Sequence, residues 1–485
     1  TTVVFYWYAY HRDLHPLPTR RSSDLSGTVP GVRAILAYVL LKPLVALGVL
    51  TLYALMQAPG AANGQAPKSP PAPASPVLAR ILSAELKRNL EGLSKAEPAA
   101  YYISYQVTDV DSLDITAAMG SLQSSTSQRR RRLDVSVRVG SPEFDNYRVA
   151  GGERQYFSAS AELPVEDNDA AVRRIVWRET DRAWRVAAQR YMKVKSTTGL
   201  AASAAKVPDF SAEKPVSGAV EVPAGKVNVQ DWENRLRKHS AATGVFGVIT
   251  ATVSLNARTE QKTFVDSEGT TVSHGRSFAR WGIVARAKAY DGQDLVSTES
   301  YDAADPSGLP KDDALIEASK KAAVTVSALL KSQPVDPYVG PAILSGRAAG
   351  VFFHEIFGHR VEGHRQKDET EGQTFTNSLE KPVLPQFLSV LFDPTRKSAA
   401  GVDLNGWYAF DDEGRPAQPV RVVESGTLKS FLVSREPIAS AGKSNGHGRR
   451  QPGYEAIARQ SNLIVESAKR VNDAELQKLL IEEVI

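Results

Sequence analysis

The chain has 485 residues, 42% hydrophobic and 23% charged, with a net charge of +5. That composition is globular and long enough for about two to four domains, which excludes a disordered chain. It contains no cysteine, which excludes disulfides, thiolate metal ligands and thiol nucleophiles among these residues.

Residues 1–25, with "DLHPLPTRRSSDL" at their end, read as a non-native extension rather than a folded element. Residues 26–62 have the layout of a secretory signal. Arg33 and Lys42 supply positive charge, Pro43 to Met56 is apolar, and "APGAANGQA" offers cleavage after Ala62. The expected location is periplasmic or extracellular. An uncleaved anchor from Ala34 to Met56 is the competing reading, made less comfortable by Lys42. Residues 63–76 form a Pro/Ala-rich linker that stays extended.

Residues 77–217 read as an N-terminal α+β domain. "ARILSAELKRNLEGL" is an amphipathic helix, while "AYYISYQV" and "RLDVSVRVG" alternate as strands. A long helix follows, with Trp177, Thr180, Trp184, Ala187, Ala188 and Tyr191 as its core stripe. The run Arg129–Arg132 reads as a solvated strand end. No stacking aromatics accompany it, so no nucleic-acid partner is expected.

Residues 229–336 read as a central strand-rich α+β domain, with turns at "DSEG" and "DG" and His274 in a solvated loop. A helix opened by Asp312 and Asp313 closes it. Residues 337–485 read as a C-terminal β-rich domain carrying a histidine-bearing helix, with turns at "DDEG" and "ESG". Leu476, Leu479 and Leu480 keep helical spacing up to Ile485, which reads as a truncated helix. The expected fold class is α+β throughout. No fixed-period repeat, P-loop or dinucleotide fingerprint is present.

"GVFFHEIFGHRVEGHRQ", Gly350 to Gln366, holds three of the eight histidines. His354, Glu355 and His359 form His-Glu-x-x-x-His, one residue longer than the zinc-protease helix motif. On a regular helix, histidines five apart differ by about 140° in direction and cannot share a metal. A bulge or unwinding at Gly358 would let them converge on zinc. Glu355 would then act as general base on a metal-activated water, giving peptide hydrolysis. Glu355 and His359, four apart, are an alternative ligand pair that needs no deformation. His364 reads as a surface residue of a solvated loop.

The same stretch resembles the signature of the TldD/PmbA family of metalloproteases, in its catalytic TldD-like branch, down to the Glu362–Gly363 pair. "VDSEGTTV", "YAFDDEGRPAQPVRVVESGTLKSFLVS" and "SNGHGRRQPGYEAIARQSNLIV" match family-type segments in the same order. The resemblance implies His354 and His359 as Zn2+ ligands and Glu355 as catalytic acid/base. It implies a third ligand from a cysteine near the C-terminus, which this chain lacks; a lost C-terminal segment or a different ligand would account for that. It further implies a zinc-dependent peptidase acting on unfolded or short peptides in a narrow cleft. The partner would be a second copy or a PmbA-like subunit. The alternative is a non-catalytic subunit that binds peptides without cleaving them. His447, Arg449 and Arg450 either line the cleft and steady the substrate or form a flexible basic loop. Arg459 and Asn462 of "ARQSN" have no role that spacing assigns.

Overall fold

The computed structural model describes residues 76–150, 152–198, 207–222, 227–244, 247–367 and 372–484. The expected extension, the signal and nearly all of the linker lie outside the described residues. Among the described residues, one compact unit comprises 76–333 and 351–469, and another comprises 334–350 and 470–484. No helix among them is long and apolar enough to cross a membrane.

The larger unit is built on an eight-stranded sheet of order β3-β2-β1-β6-β7-β5, with β4 on β2 and β8 on β7. Its long strands are β1 (Ala100–Ala118), β2 (Ser121–Ser141), β6 (Thr250–Asp266) and β7 (Thr271–Lys288), joined by the shorter β3 (Phe144–Asp145), β4 (Ala159–Leu163), β5 (Ser217–Ala219) and β8 (Asp294–Ala303). A strand of 19 residues such as β1 spans about 60 Å. That length accommodates two helix pairs side by side on one face.

Alternation explains how both pairs pack. Along β1 the odd positions Ile103, Tyr105 and Val107 join one apolar cluster, and Leu113, Ile115 and Ala117 join another. The first cluster is covered by α1 (Pro76–Leu93) and α2 (Asp169–Thr198), through Ile81, Leu82, Val172 and Val176. The second is covered by α3 (Val229–Ala241) and α4 (Asp312–Leu329), through Trp232, Leu236, Leu315 and Val326. The even positions face the other way and are polar yet buried: Ser104, Gln106 and Thr108 on β1, Asp134, Ser136 and Arg138 on β2. The C-terminal part of the unit covers them through hydrogen bonds. Gln106 donates to Asp412, Lys262 of β6 donates to Asp412 at 2.5 Å, and Ser136 donates to Glu455 at 2.7 Å.

The α+β class expected from the sequence is found. The segments expected as separate N-terminal and central domains share this sheet, since β1 pairs with β6 over fifteen registered positions from Ser104↔Asp266 to Ala118↔Thr252. Three local expectations are corrected. Arg129–Arg132 lie in the middle of β2 rather than at a solvated end, and Arg129 and Arg131 both pair with Asp109, because a carboxylate on the adjacent strand sits opposite them. His274 is a buried residue of β7, not a loop residue, because the strand runs on through it to Lys288. On α2, Thr180, Trp184, Ala187 and Tyr191 of the expected stripe pack toward the core, but Trp177 is half-exposed, and Val172, Val176 and Ala183 extend the buried face in its place.

Past α5 (Gly346–Ile356), a second sheet of order β13-β12-β9-β16 forms from β9 (Leu388–Phe392), β12 (Val420–Glu424), β13 (Thr427–Leu428) and β16 (Leu463–Ser467). Two small ribbons accompany it: β10 (Ser398–Ala399) with β11 (Val402–Asp403), and β14 (Gly448–Arg449) with β15 (Ile457–Ala458). The expected "DDEG" and "ESG" turns are present, with Gly414 and Gly426 at φ of 73° and 80°. In the smaller unit, α6 (Asp473–Val484) opens with Asn472 accepting from the Glu475 amide at 2.9 Å.

Candidate metal centre

The helix α5 stops between the two histidines. Phe357 still donates to Phe353 O at 3.1 Å, but its φ of −120° and ψ of −53° leave the helical track. The chain continues as a 3₁₀ turn, Gly358–Val361, in which Arg360 donates to Phe357 O. Phe353, Phe357 and Val361 are buried and anchor the two turns, while Val351 of the same apolar run points outward. A helix end therefore supplies the expected unwinding. Gly358 is required for room rather than for an unusual φ: an added Cβ would run into the side chain of Gln460.

The rings of His354 and His359 consequently meet edge to face, with centroids 4.5 Å apart. Both Nε2 atoms face the carboxylate between them, each 3.9 Å from an oxygen of Glu355. One donor atom from each of the three residues lies within 4.8 Å of the others. Two imidazoles and a carboxylate are an established donor set for a divalent cation such as zinc. Zinc bonds of about 2.0–2.2 Å would draw donors to roughly 3.4 Å from each other, a small rotamer adjustment for side chains this open. Glu355 is 62% and His354 46% exposed, and His359 is 21% exposed. Burial, then the adjacent His359, lowers the pKa of His354 and favours the neutral ring, with one nitrogen lone pair available.

Behind His359 lies Glu362, fully buried. Its Oε1 is 3.1 Å from His359 Nδ1, and its carboxylate meets Arg365 at 3.2 Å and Arg459 at 3.5 Å. Burial opposes the charge of Glu362, but the His359 hydrogen bond and Arg459 outweigh it and lower its pKa. The next residue, Gly363, donates to Leu432 O at 2.7 Å, while Leu432 donates to Val361 O at 2.9 Å. The "EG" pair is thus where the histidine turn is stitched to "FLVS".

The loop expectation for His364 is corrected. It is buried, and its pKa falls to about 3 through burial and then Arg154, because Glu362–Gly363 lead it inward along the Leu432 contact. His447, Arg449 and Arg450 are engaged internally rather than forming a flexible loop. His447 is buried between Asn445 O and Ser461 Oγ, both at 3.1 Å. Arg449 stacks over Tyr408 at 4.0 Å and pairs with Asp412 at 3.4 Å. Arg450 donates its amide to Asp412 and its guanidinium to Ser136. Of the three, Arg449 borders a small cleft shared with Glu260, Lys262, His274 and Arg276.

Sequence reasoning left "ARQSN" without a role, and the structure supplies one for each side chain that follows the alanine. Arg459 braces Glu362, Gln460 donates to His354 O at 3.4 Å, Ser461 holds His447, and Asn462 donates to Asp393 O and Arg396 O. Nothing in the spacing signals this, since every partner except His447 comes from residues far upstream in the chain.

Residues 338–484 match the family model described as PmbA/TldA metallopeptidase C-terminal domain. A protein of Archaeoglobus fulgidus named metalloprotease is 35% identical over 126 residues, 26% of this chain and 28% of that protein. A Methanothermobacter thermautotrophicus protein, also named metalloprotease, is 28% identical over 229 residues, 46% of this chain and 47% of that protein. The chain thus spans from about a quarter to about half of the length of these relatives. The crystal structure of TldE from Thermococcus kodakarensis shares the fold, with a TM-score of 0.52 at 13% identity, covering 82% of this chain and 80% of that one. The domain match over residues 338–484, the metalloprotease relatives and the shared fold agree: the C-terminal part of the chain matches the PmbA/TldA metallopeptidase C-terminal domain, and the chain as a whole is similar to the TldD/PmbA family.

Proposed function

We propose that this protein is a zinc-dependent peptidase in which His354 and His359 hold the metal and Glu355 handles the proton. The observation that carries this reading is the approach of both Nε2 atoms to opposite oxygens of one exposed carboxylate, each at 3.9 Å. Zinc, when bound there, supplies a Lewis acid that polarises the scissile carbonyl and acidifies water. Glu355, open to solvent, takes the proton of the attacking water on a carboxylate oxygen and returns it to the leaving amine nitrogen. The exposed face of Glu355 and His354 leaves room for an extended peptide. His447 serves as frame: its carbonyl accepts the Arg459 amide at 3.0 Å. Export, supported by the apolar run Pro43–Met56, and pairing with a second copy or a PmbA-like subunit complete the reading.

The test is Glu355→Gln in the full chain. Zinc content should stay at the wild-type level while cleavage of an unstructured peptide drops by about 10²–10⁴-fold. Unchanged cleavage would remove Glu355 from the mechanism. A second reading, in which Glu355 is itself a ligand, is favoured by its place within the three-donor cluster. Loss of zinc from the Gln variant would select it.

A further inference from the structure

We propose that Glu362 is the positioning residue of the metal centre: it holds the proton of His359 on Nδ1, so that the ring offers Nε2 to the cation. This rests on the reading that His359 is a ligand. The geometry points in one direction. A carboxylate has only acceptors, so the 3.1 Å contact between Glu362 Oε1 and His359 Nδ1 requires Nδ1–H as donor. The opposite nitrogen, Nε2, is the one that faces Glu355 and the other histidine. A neutral imidazole protonated on Nδ1 has its lone pair on Nε2, which is the form a metal needs.

Glu362 is built to stay where it is. It has no exposed surface, and a buried carboxylate persists only with its charge met. Arg365 meets Oε2 from the following 3₁₀ turn, and Arg459 meets Oε1 from beyond β15. Its backbone is fixed as well, by the Val361–Leu432–Gly363 ladder on either side. Carboxylates that orient a metal-bound histidine in this way contribute about 10–100-fold to metal affinity. Arg459 therefore acts at one further remove, through Glu362, and gives "ARQSN" a place in the centre.

Two measurements on the full-length protein test this. The first reads the tautomer of His359 in the metal-free wild type, by long-range ¹H–¹⁵N NMR of ¹⁵N-histidine-labelled protein at alkaline pH, assigned with a His359→Gln variant. The expected result is the Nδ1–H form; a ring protonated mainly on Nε2 overturns the proposal, whether or not any Glu362 variant folds. The second titrates Zn2+ into wild type and Glu362→Gln, with thermal melting as the folding control. A folded variant should bind zinc about 10–100-fold more weakly, with His359 redistributed between tautomers. Equal affinity with an unchanged tautomer overturns the role of Glu362 alone. Failure of the wild type to bind zinc removes the metal reading beneath it, and the two failures are distinguishable.

Discussion

At Gly363 the backbone passes so close to Leu432 that a Cβ would sit 2.6 Å from its carbonyl oxygen. Backbone cannot move aside as a side chain can, so Gly363→Ala should cost about 1–3 kcal/mol, read as a shift of the urea midpoint. At Gly358 the obstacle is the flexible end of Gln460, and the same substitution should cost less. His354, Glu355 and His359 were legible in the sequence as a cluster because their chemistry is local: six residues, three donors and a glycine. Glu362 was visible only as half of a family pair, because its function depends on Arg459, and no spacing rule connects the two. His274 and His364 read as surface residues for a related reason. A histidine beside glycines and charges looks solvated until a distant segment covers it, as Trp407 and Tyr408 border the cleft at His274.

At the scale of elements, the long strands and α1, α2 and α4 followed from alternation and amphipathicity, and the acids opening α4 are where they were expected. Asp312 of that helix pairs with Arg235 at 2.6 Å and with His239 at 3.1 Å. What was missed is α3, whose sequence "VQDWENRLRKHSA" is mostly polar. Trp232 and Leu236, one turn apart, supply nearly all its apolar anchorage, and Asn228 caps its start by accepting from the Asp231 amide at 3.2 Å. Two anchors are a weak periodic signal, yet each is buried against the sheet. Leu236→Ala should therefore destabilise the protein by about 2–5 kcal/mol, measured by chemical denaturation. The break at the end of α5 was legible only as a need. The motif required the helix to deform, but whether by bulge or by stopping shows only in the backbone, where Phe357 leaves the helical track at φ −120° and ψ −53°.

For the molecule as a whole, one sheet carries two apolar clusters on one face and a buried polar layer on the other. The polar layer makes stability depend on pH. Burial lowers the pKa of His274 to about 3, of His364 to about 3 and of His447 to about 4. Each stays neutral in the folded state while the unfolded chain takes up a proton near pH 6.5. Their contribution is thus fully present above pH 6.5 and is lost as pH falls through the folded values. Asp411 and Glu413 act oppositely, since burial raises both, helped at Glu413 by the charge of Asp411 and at Asp411 by that of Asp412. A single variant separates these effects. His447→Asn should be less stable than wild type at pH 8, and the gap should narrow by up to about 3 kcal/mol as pH falls from 6.5 to 4. A gap independent of pH would contradict a neutral, buried His447. The Leu432 ladder and the Arg459 brace carry one more consequence. Both reach the histidine turn from chain that leaves the ribosome after it. A nascent polypeptide displaying His354 and His359 therefore still lacks the support that orders them, and on the proposed reading firm capture of a cation waits for that later chain instead of seeding the turn.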